Sequence, residues 1–213
     1  ATGDVIVAQD RLDFEDTSLF RLTVSVTDNA PAPLTATATA TIRLTDVNER
    51  PTIQAAALTV DENSLAGVLA GRLTATDPDA GDSVRWAITG GNTGGAFSVH
   101  QVTGELRVAR VLDYLTLDEY RITVSATDTG GLWAHGSVTV NILDVNEPPV
   151  VHPGVRRVDE NLPPGALVGA PVEASDPDFN QLLTFSITAG NGQGRFKVNP
   201  CSGQLYTEAL LDY

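Results

Sequence analysis

Three observations predict an all-β chain of antiparallel β-sandwiches in tandem. Apolar and polar residues alternate with a period of two, turn-forming words separate the alternating runs, and the whole pattern returns after 98 to 100 residues. In "FRLTVSVTD" the residues Phe20, Leu22, Val24 and Val26 fall on one face of a strand and should face the core; in "TATATATI" Ala36, Ala38, Ala40 and Ile42 lie opposite Thr35, Thr37, Thr39 and Thr41. Further along, Trp86 and Ile88 alternate in "VRWAI", and Tyr120, Ile122, Val124 and Ala126 alternate in "YRITVSATD" and should face the core. Val138, Val140 and Ile142 do the same in "SVTVNI". Between these runs stand "DPDAGD", "TGGNTGG", "VTGE" and "DTGG", which supply the glycine, asparagine and aspartate that tight turns require. About seven short strands in about 100 residues, without a helical stripe, read as one sandwich.

The repeat sets the domain expectation. "LDF" at Leu12 returns as "LDY" at Leu112 and Leu211, "VTD" ending at Asp28 as "ATD" ending at Asp128, and "DVNE" at Asp46 again at Asp144. "VDEN" at Val60 returns at Val158, and "DPD" at Asp77 returns at Asp176. A spacing of that size fits domain-sized units in line better than a solenoid of small repeats. With the "DVNE" joins as boundaries, residues 1–50 are the back half of one unit, 51–148 a complete unit and 149–213 the front half of a third. The chain reads as a piece of something longer.

Composition narrows the function classes. Thirteen basic against 27 acidic residues give a formal net charge of −14, which argues against nucleic acid as a partner and favours cations. A single cysteine, Cys201, excludes a disulfide framework and a cysteine-rich zinc site. His100, His135 and His152 fall in separate segments that read as loops, without metal or triad spacing, and no nucleophile elbow, zinc-protease word or phosphate loop is present, so an enzyme is not expected. "TGGNTGG" lacks the lysine and the following helix of a phosphate cradle, and its work is turning the chain. Trp86 reads as core, Trp133 as half-buried at a strand start, and Cys201 as a free thiol in a turn.

The acids are concentrated at strand ends and joins. "LTDVNERPTI" (residues 44–53) and "ILDVNEPPVV" (residues 142–151) place acids, an asparagine and a proline between two apolar runs. Carboxylates gathered there repel one another unless a cation neutralises them. Calcium is the natural counter-ion, since it accepts six to eight oxygens from carboxylates, amides and carbonyls with loose geometry.

The ordered set "VDEN", "DPD", "LDF" or "LDY", "ATD" and "DVNE" resembles the cadherin repeat family, over essentially the whole chain. The resemblance implies Greek-key sandwiches of immunoglobulin-like architecture with calcium ions held at each junction. At the first junction it implies Asp13 and Glu15 as ligands, with Asp46, Asn48 and Glu49 from the join and the main-chain carbonyls of Val47 and Arg50. Asp77 and Asp79 would reach back from the next unit, and Asp128 would complete the outermost site. At the second it implies Glu62, Asp113, Asp144, Asn146 and Glu147, together with Asp176 and Asp178. Glu160 and Asp212 would belong to a further junction. Leu115 stands where the family has a glutamate, so fewer or weaker ions are expected at the second junction. Glu49 and Glu147 replace an aspartate, and Arg50 and Pro148 an asparagine.

The family implies calcium-dependent cell adhesion, with other cadherin-type or cell-surface proteins as homophilic or heterophilic partners. It also implies an extracellular location, with the parent protein anchored in the plasma membrane outside this segment. The alternative is a secreted or microbial surface matrix protein that uses such repeats as calcium-stiffened spacers or carbohydrate-binding modules.

Overall fold

The computed structural model describes residues 3–8 and 12–211. Its strands are β1 (Leu19–Thr27), β2 (Thr35–Arg43), β3 (Thr52–Ile53), β4 (Ala56–Asp61), β5 (Leu69–Arg72), β6 (Ala75–Thr76), β7 (Arg85–Gly90) and β8 (Phe97–Val99). There follow β9 (Glu105–Val108), β10 (Glu119–Thr127), β11 (Trp133–Leu143), β12 (Val150–Val151), β13 (Ala174–Ser175), β14 (Phe196–Val198) and β15 (Leu205–Thr207). One 3-10 turn, Thr93–Gly95, is the only helical element among the described residues. Packing divides the chain into two compact units, Ala1–Asp113 with Leu117–Leu143, and Tyr114–Thr116 with Asp144–Tyr213.

The first unit contains a sandwich of two sheets. One has the order β4-β11-β10-β7 and the other β5-β9-β8. All pairings within them are antiparallel except β4 with β11, which run parallel from Val138 opposite Ala56 to Leu143 opposite Asp61. The period-two residues of β10 and β11 form the core: Ile122, Val124, Ala126, Val138 and Val140 are all fully buried, with Tyr120 and Ile142 nearly so. From the second sheet come Leu106 and Val108, and Phe97 meets Tyr120 edge-on with ring centroids 5.1 Å apart. Burying each such aliphatic side chain stabilises the fold by about 1.5–3 kcal/mol relative to exposure. Trp86 belongs to this core as expected, at 3% exposure.

The β1–β2 ribbon keeps the same alternation without a cover. Its nine-pair register sets Phe20 opposite Ile42, Leu22 opposite Ala40, Val24 opposite Ala38 and Val26 opposite Ala36, so both apolar rows share one face. Leu22, Val24 and Val26 nevertheless stay exposed, contrary to a core role, because the described residues before Pro51 contribute no counterpart of the β5-β9-β8 sheet to lie over them. Trp133 also departs from expectation: it opens β11 at 53% exposure, with its ring against His135, which lies within β11 and not in a loop.

The second unit repeats part of the sandwich. β14 and β15 pair Phe196 with Thr207 as β8 and β9 pair Phe97 with Val108, and β12–β13 matches β3–β6. Asn191 and Asn92 each bracket the following phenylalanine, donating to its carbonyl and accepting from its N–H. Residues 184–189, the counterpart of β7, form no strand. The partner of β7 is β10, and among the described residues the second unit has no counterpart of β10 to pair with it.

Candidate metal centre

The acidic words acquire their geometry from backbone turns. Asp13 caps the turn after it, its Oδ1 accepting from the N–H groups of Glu15 (3.0 Å) and Asp16 (3.1 Å), while its carbonyl accepts from Thr17. This turn projects Glu15. Asp77 does the same for Asp79, whose N–H donates to Asp77 Oδ1 at 3.1 Å. Asp79 in turn receives the N–H of Glu49 on Oδ2 at 2.9 Å, which fixes the join against the "DPD" word. Asp128 directly follows β10 and is buried, at 5% exposure, with Oδ1 accepting from Leu132 N–H at 2.8 Å and Oδ2 from the Asn48 amide at 3.0 Å. Asn48 reaches it by lying against Gly130, where any Cβ would stand 1.9 Å from Asn48 Oδ1.

These turns bring the first-junction acids together in two groups. Glu15, Glu49 and Asp79 each place a carboxylate oxygen within 4.8 Å of the others, and so do Asp77, Asp82 and Asp128. Asp46 and Asn48 line the same open cleft as Glu15, Asp79 and Asp82. Asp13 is in neither group, its Oδ1 serving the turn, and the side chains of Val47 and Arg50 are exposed. Asp82 is the residue that sequence reasoning left out. "DPDAGD" reads as a turn, and its last aspartate belongs to no repeated word that would mark it.

No lysine or arginine among the described residues pairs with any of these six acids. Removal from water, then the nearby carboxylates of Asp79, Asp13, Asp46 and Asp77, raise Glu49 above the ordinary carboxylate range. Glu15 is raised by desolvation and by Glu49, Asp46 and Asp13, against the opposing pull of a backbone N–H. Desolvation, with Asp79, Asp82 and Asp128, raises Asp77. Asp77 Oδ2 is buried and accepts no hydrogen bond. A buried carboxylate oxygen without a donor costs free energy unless a cation fills that role, so the residues present fit a hard, oxygen-seeking metal ion.

The second join is built on the same backbone pattern. Glu147 N–H donates to Asp178 Oδ2 at 2.8 Å, Asp178 N–H to Asp176 Oδ1 at 2.9 Å, and the Asn146 amide to the Glu147 carbonyl at 3.3 Å. The same three bonds tie Glu49, Asp79, Asp77 and Asn48 together. Asn146 and Asp144 are exposed, Asp176 is half-buried and Asp178 is buried. In the first unit Glu62 is buried, its N–H on the Leu143 carbonyl, and Asp113 caps the turn to Leu117 through its carbonyl. Glu160 is exposed, and Asp212 lies outside the described residues.

Comparison with known proteins agrees with the fold. The cadherin domain family matches residues 57–143. Human protocadherin Fat 4 is 33% identical over the whole chain, which spans 4% of that protein. Chicken cadherin-1 is 35% identical over the whole chain, which spans 26% of it. Among solved structures, extracellular domains 22–24 of mouse cadherin-23 superpose with a TM-score of 0.69 at 28% identity, covering 94% of this chain and 67% of that one. With the sandwich, the repeated turns and the ordered acidic words, these matches identify the chain as a member of the cadherin repeat family.

Proposed function

We propose that this chain is a segment of a calcium-dependent adhesion protein, in which junction carboxylates and their ions stiffen successive repeats. The chain spans a small fraction of the curated relatives it matches, so adhesion, partners and membrane anchorage are carried over as part of this reading. The single observation that supports it most is the gathering of Asp77, Asp82 and Asp128 around a buried, donorless oxygen, with no ion pair to a lysine or arginine among the described residues. Residues 1–50, 51–148 and 149–213 are assigned to three successive repeats. Asp13, Glu15, Asp46, Asn48, Glu49, Asp77, Asp79 and Asp128, with the main-chain carbonyls of Val47 and Arg50, hold cations at the first junction, and Asp13 also fixes the turn that presents Glu15. The second set comprises Glu62, Asp113, Asp144, Asn146, Glu147, Asp176 and Asp178.

When bound, calcium supplies positive charge that cancels the carboxylate repulsion. The chain's own contribution is positioning: N–H donors from Glu49, Asp79 and Leu132 hold the carboxylates in place before any ion arrives. Extracellular modules of this kind bind calcium with dissociation constants of about 10⁻⁴ to 10⁻³ M, so millimolar extracellular calcium loads them and cytosolic levels do not. That affinity is the physical ground for an extracellular location. Thermal melting of the chain in millimolar calcium and in EDTA tests the reading. A higher melting temperature in calcium supports it, and superimposable curves would refute it.

A further inference from the structure

We infer that Asp82 is a direct third carboxylate ligand of the cation at Asp77 and Asp128, and that it raises the affinity of this junction in a way the next repeat does not share. The inference rests on the calcium reading above and adds a residue to it. Its first support is distance. Two oxygens on one calcium ion, each at about 2.3–2.6 Å, are at most about 5 Å apart, and the oxygens of Asp77, Asp82 and Asp128 lie within 4.8 Å of one another.

The second support is the local backbone. Asp82 N–H donates to the Asp79 carbonyl at 3.1 Å, and Gly81 between them takes φ of 92°, a left-handed conformation that glycine adopts without strain. This turn carries the Asp82 side chain back to the "DPD" word instead of out to solvent, and leaves it half-buried. Thr129, the residue after Asp128, donates its hydroxyl to Asp82 Oδ1 and so orients the carboxylate. The third support is the buried Asp77 Oδ2, which an ion shared with Asp82 would satisfy.

The other repeat shows that the turn does not dictate the charge. Asn180 stands 99 residues after Gly81 and is also left-handed, with φ of 63°, so the backbone turn is retained. The following residue is Gln181, a neutral amide whose Nε2 donates to Asn146 Oδ1 at 3.0 Å. An aspartate at 82 is therefore not needed to make the turn. It places a further negative charge beside two carboxylates, an arrangement that only a cation makes favourable.

Calorimetric titration of the 213-residue chain with calcium chloride tests this, with melting in EDTA as the control for folding. Asp82→Asn keeps an oxygen that accepts from Thr129 but loses the charge. It should weaken the tightest calcium step about tenfold while melting in EDTA no lower than the unmodified chain. Thr129→Val should weaken the same step by a smaller factor. A purely structural role for Asp82 predicts the reverse, a lower melting temperature in EDTA and unchanged calcium affinity, and would overturn the inference. If Asp77→Asn weakens binding and Asp82→Asn does not, the ligand assignment of Asp82 fails and the calcium reading stands. If the unmodified chain takes up no calcium, both fail.

Discussion

The two joins, Asp46 to Pro51 and Asp144 to Pro149, share their backbone and differ in their charges. In both, the glutamate N–H bonds the second "DPD" carboxylate, that aspartate's N–H bonds the first, and the asparagine amide bonds the glutamate carbonyl. Around this shared frame the side chains diverge. Asn48 donates to Asp128, whereas Asn146 accepts from Gln181; Asp82 faces the first "DPD" word, whereas Gln181 occupies its place after the second. The difference teaches that the repeat words encode a scaffold of turns, and that single residues between the words set how many negative charges the scaffold gathers.

The largest break in the comparison comes from removing the frame on which Asp128 sits. Ile122→Ala, at a fully buried position of β10, should cost about 2–5 kcal/mol in urea unfolding, while Leu22→Ala at the matching exposed position of β1 should cost well under about 1 kcal/mol. Equal losses at the two sites would contradict the assignment of the core. Gly130→Ala acts on the join itself: its Cβ overlaps Asn48 Oδ1, so Asn48 must leave Asp128. A loss of about 1–3 kcal/mol is expected, together with weaker calcium uptake; an unchanged melting temperature would show that Asn48 moves freely.

Leu115→Glu sharpens the comparison from the other side. Leu115 stands 100 residues after Glu15 and is 56% exposed, so a glutamate there has room. Titration should register tighter or additional calcium binding, by a factor of several; no change would remove Leu115 as the reason for expecting fewer ions at that join.

The smallest effect is one of pH. Glu49 is raised in the folded, metal-free chain by desolvation and neighbouring carboxylates. A raised carboxyl favours the folded state fully below its unfolded pKa, and that contribution is lost as pH rises through the folded value. Glu49→Gln should therefore melt above the unmodified chain in EDTA at pH 7, with the gap closing toward pH 4. Glu105 carries the opposite sign. The Arg107 and Arg72 guanidinium groups hold it below its usual range, so its contribution is present above the unfolded pKa and lost as pH falls through the folded one. Glu105→Gln should then lower the melting temperature at pH 7 and converge with the unmodified chain in acid. A gap that widened in acid for either variant would reverse these assignments.

Much of the fold was legible because it depends on local pattern. Ile122, Val124, Val138 and Val140 alternate in the sequence and are buried in the structure, since a strand covered on one face needs that period. The same alternation in Leu22, Val24 and Val26 could not reveal exposure, because exposure depends on a second sheet that local pattern does not contain. Trp133 misled for a similar reason: its place at the head of β11 is local, and its lack of cover is not. At the site, repetition exposed Asp77, Asp79 and Asp128. Asp82 escaped because it occurs once, and the turn that Asp13 caps through Oδ1 was not legible in the repeated word. The parallel pairing of β4 with β11 was equally hidden, since strand direction is a property of topology.

The most direct test of the central claim is anomalous diffraction from crystals of the chain grown in millimolar calcium. The account predicts a calcium peak about 2.3–2.6 Å from carboxylate oxygens of Asp77 and Asp128, with Asp82 in the same coordination shell. A well-ordered junction with no anomalous peak among these residues would contradict it.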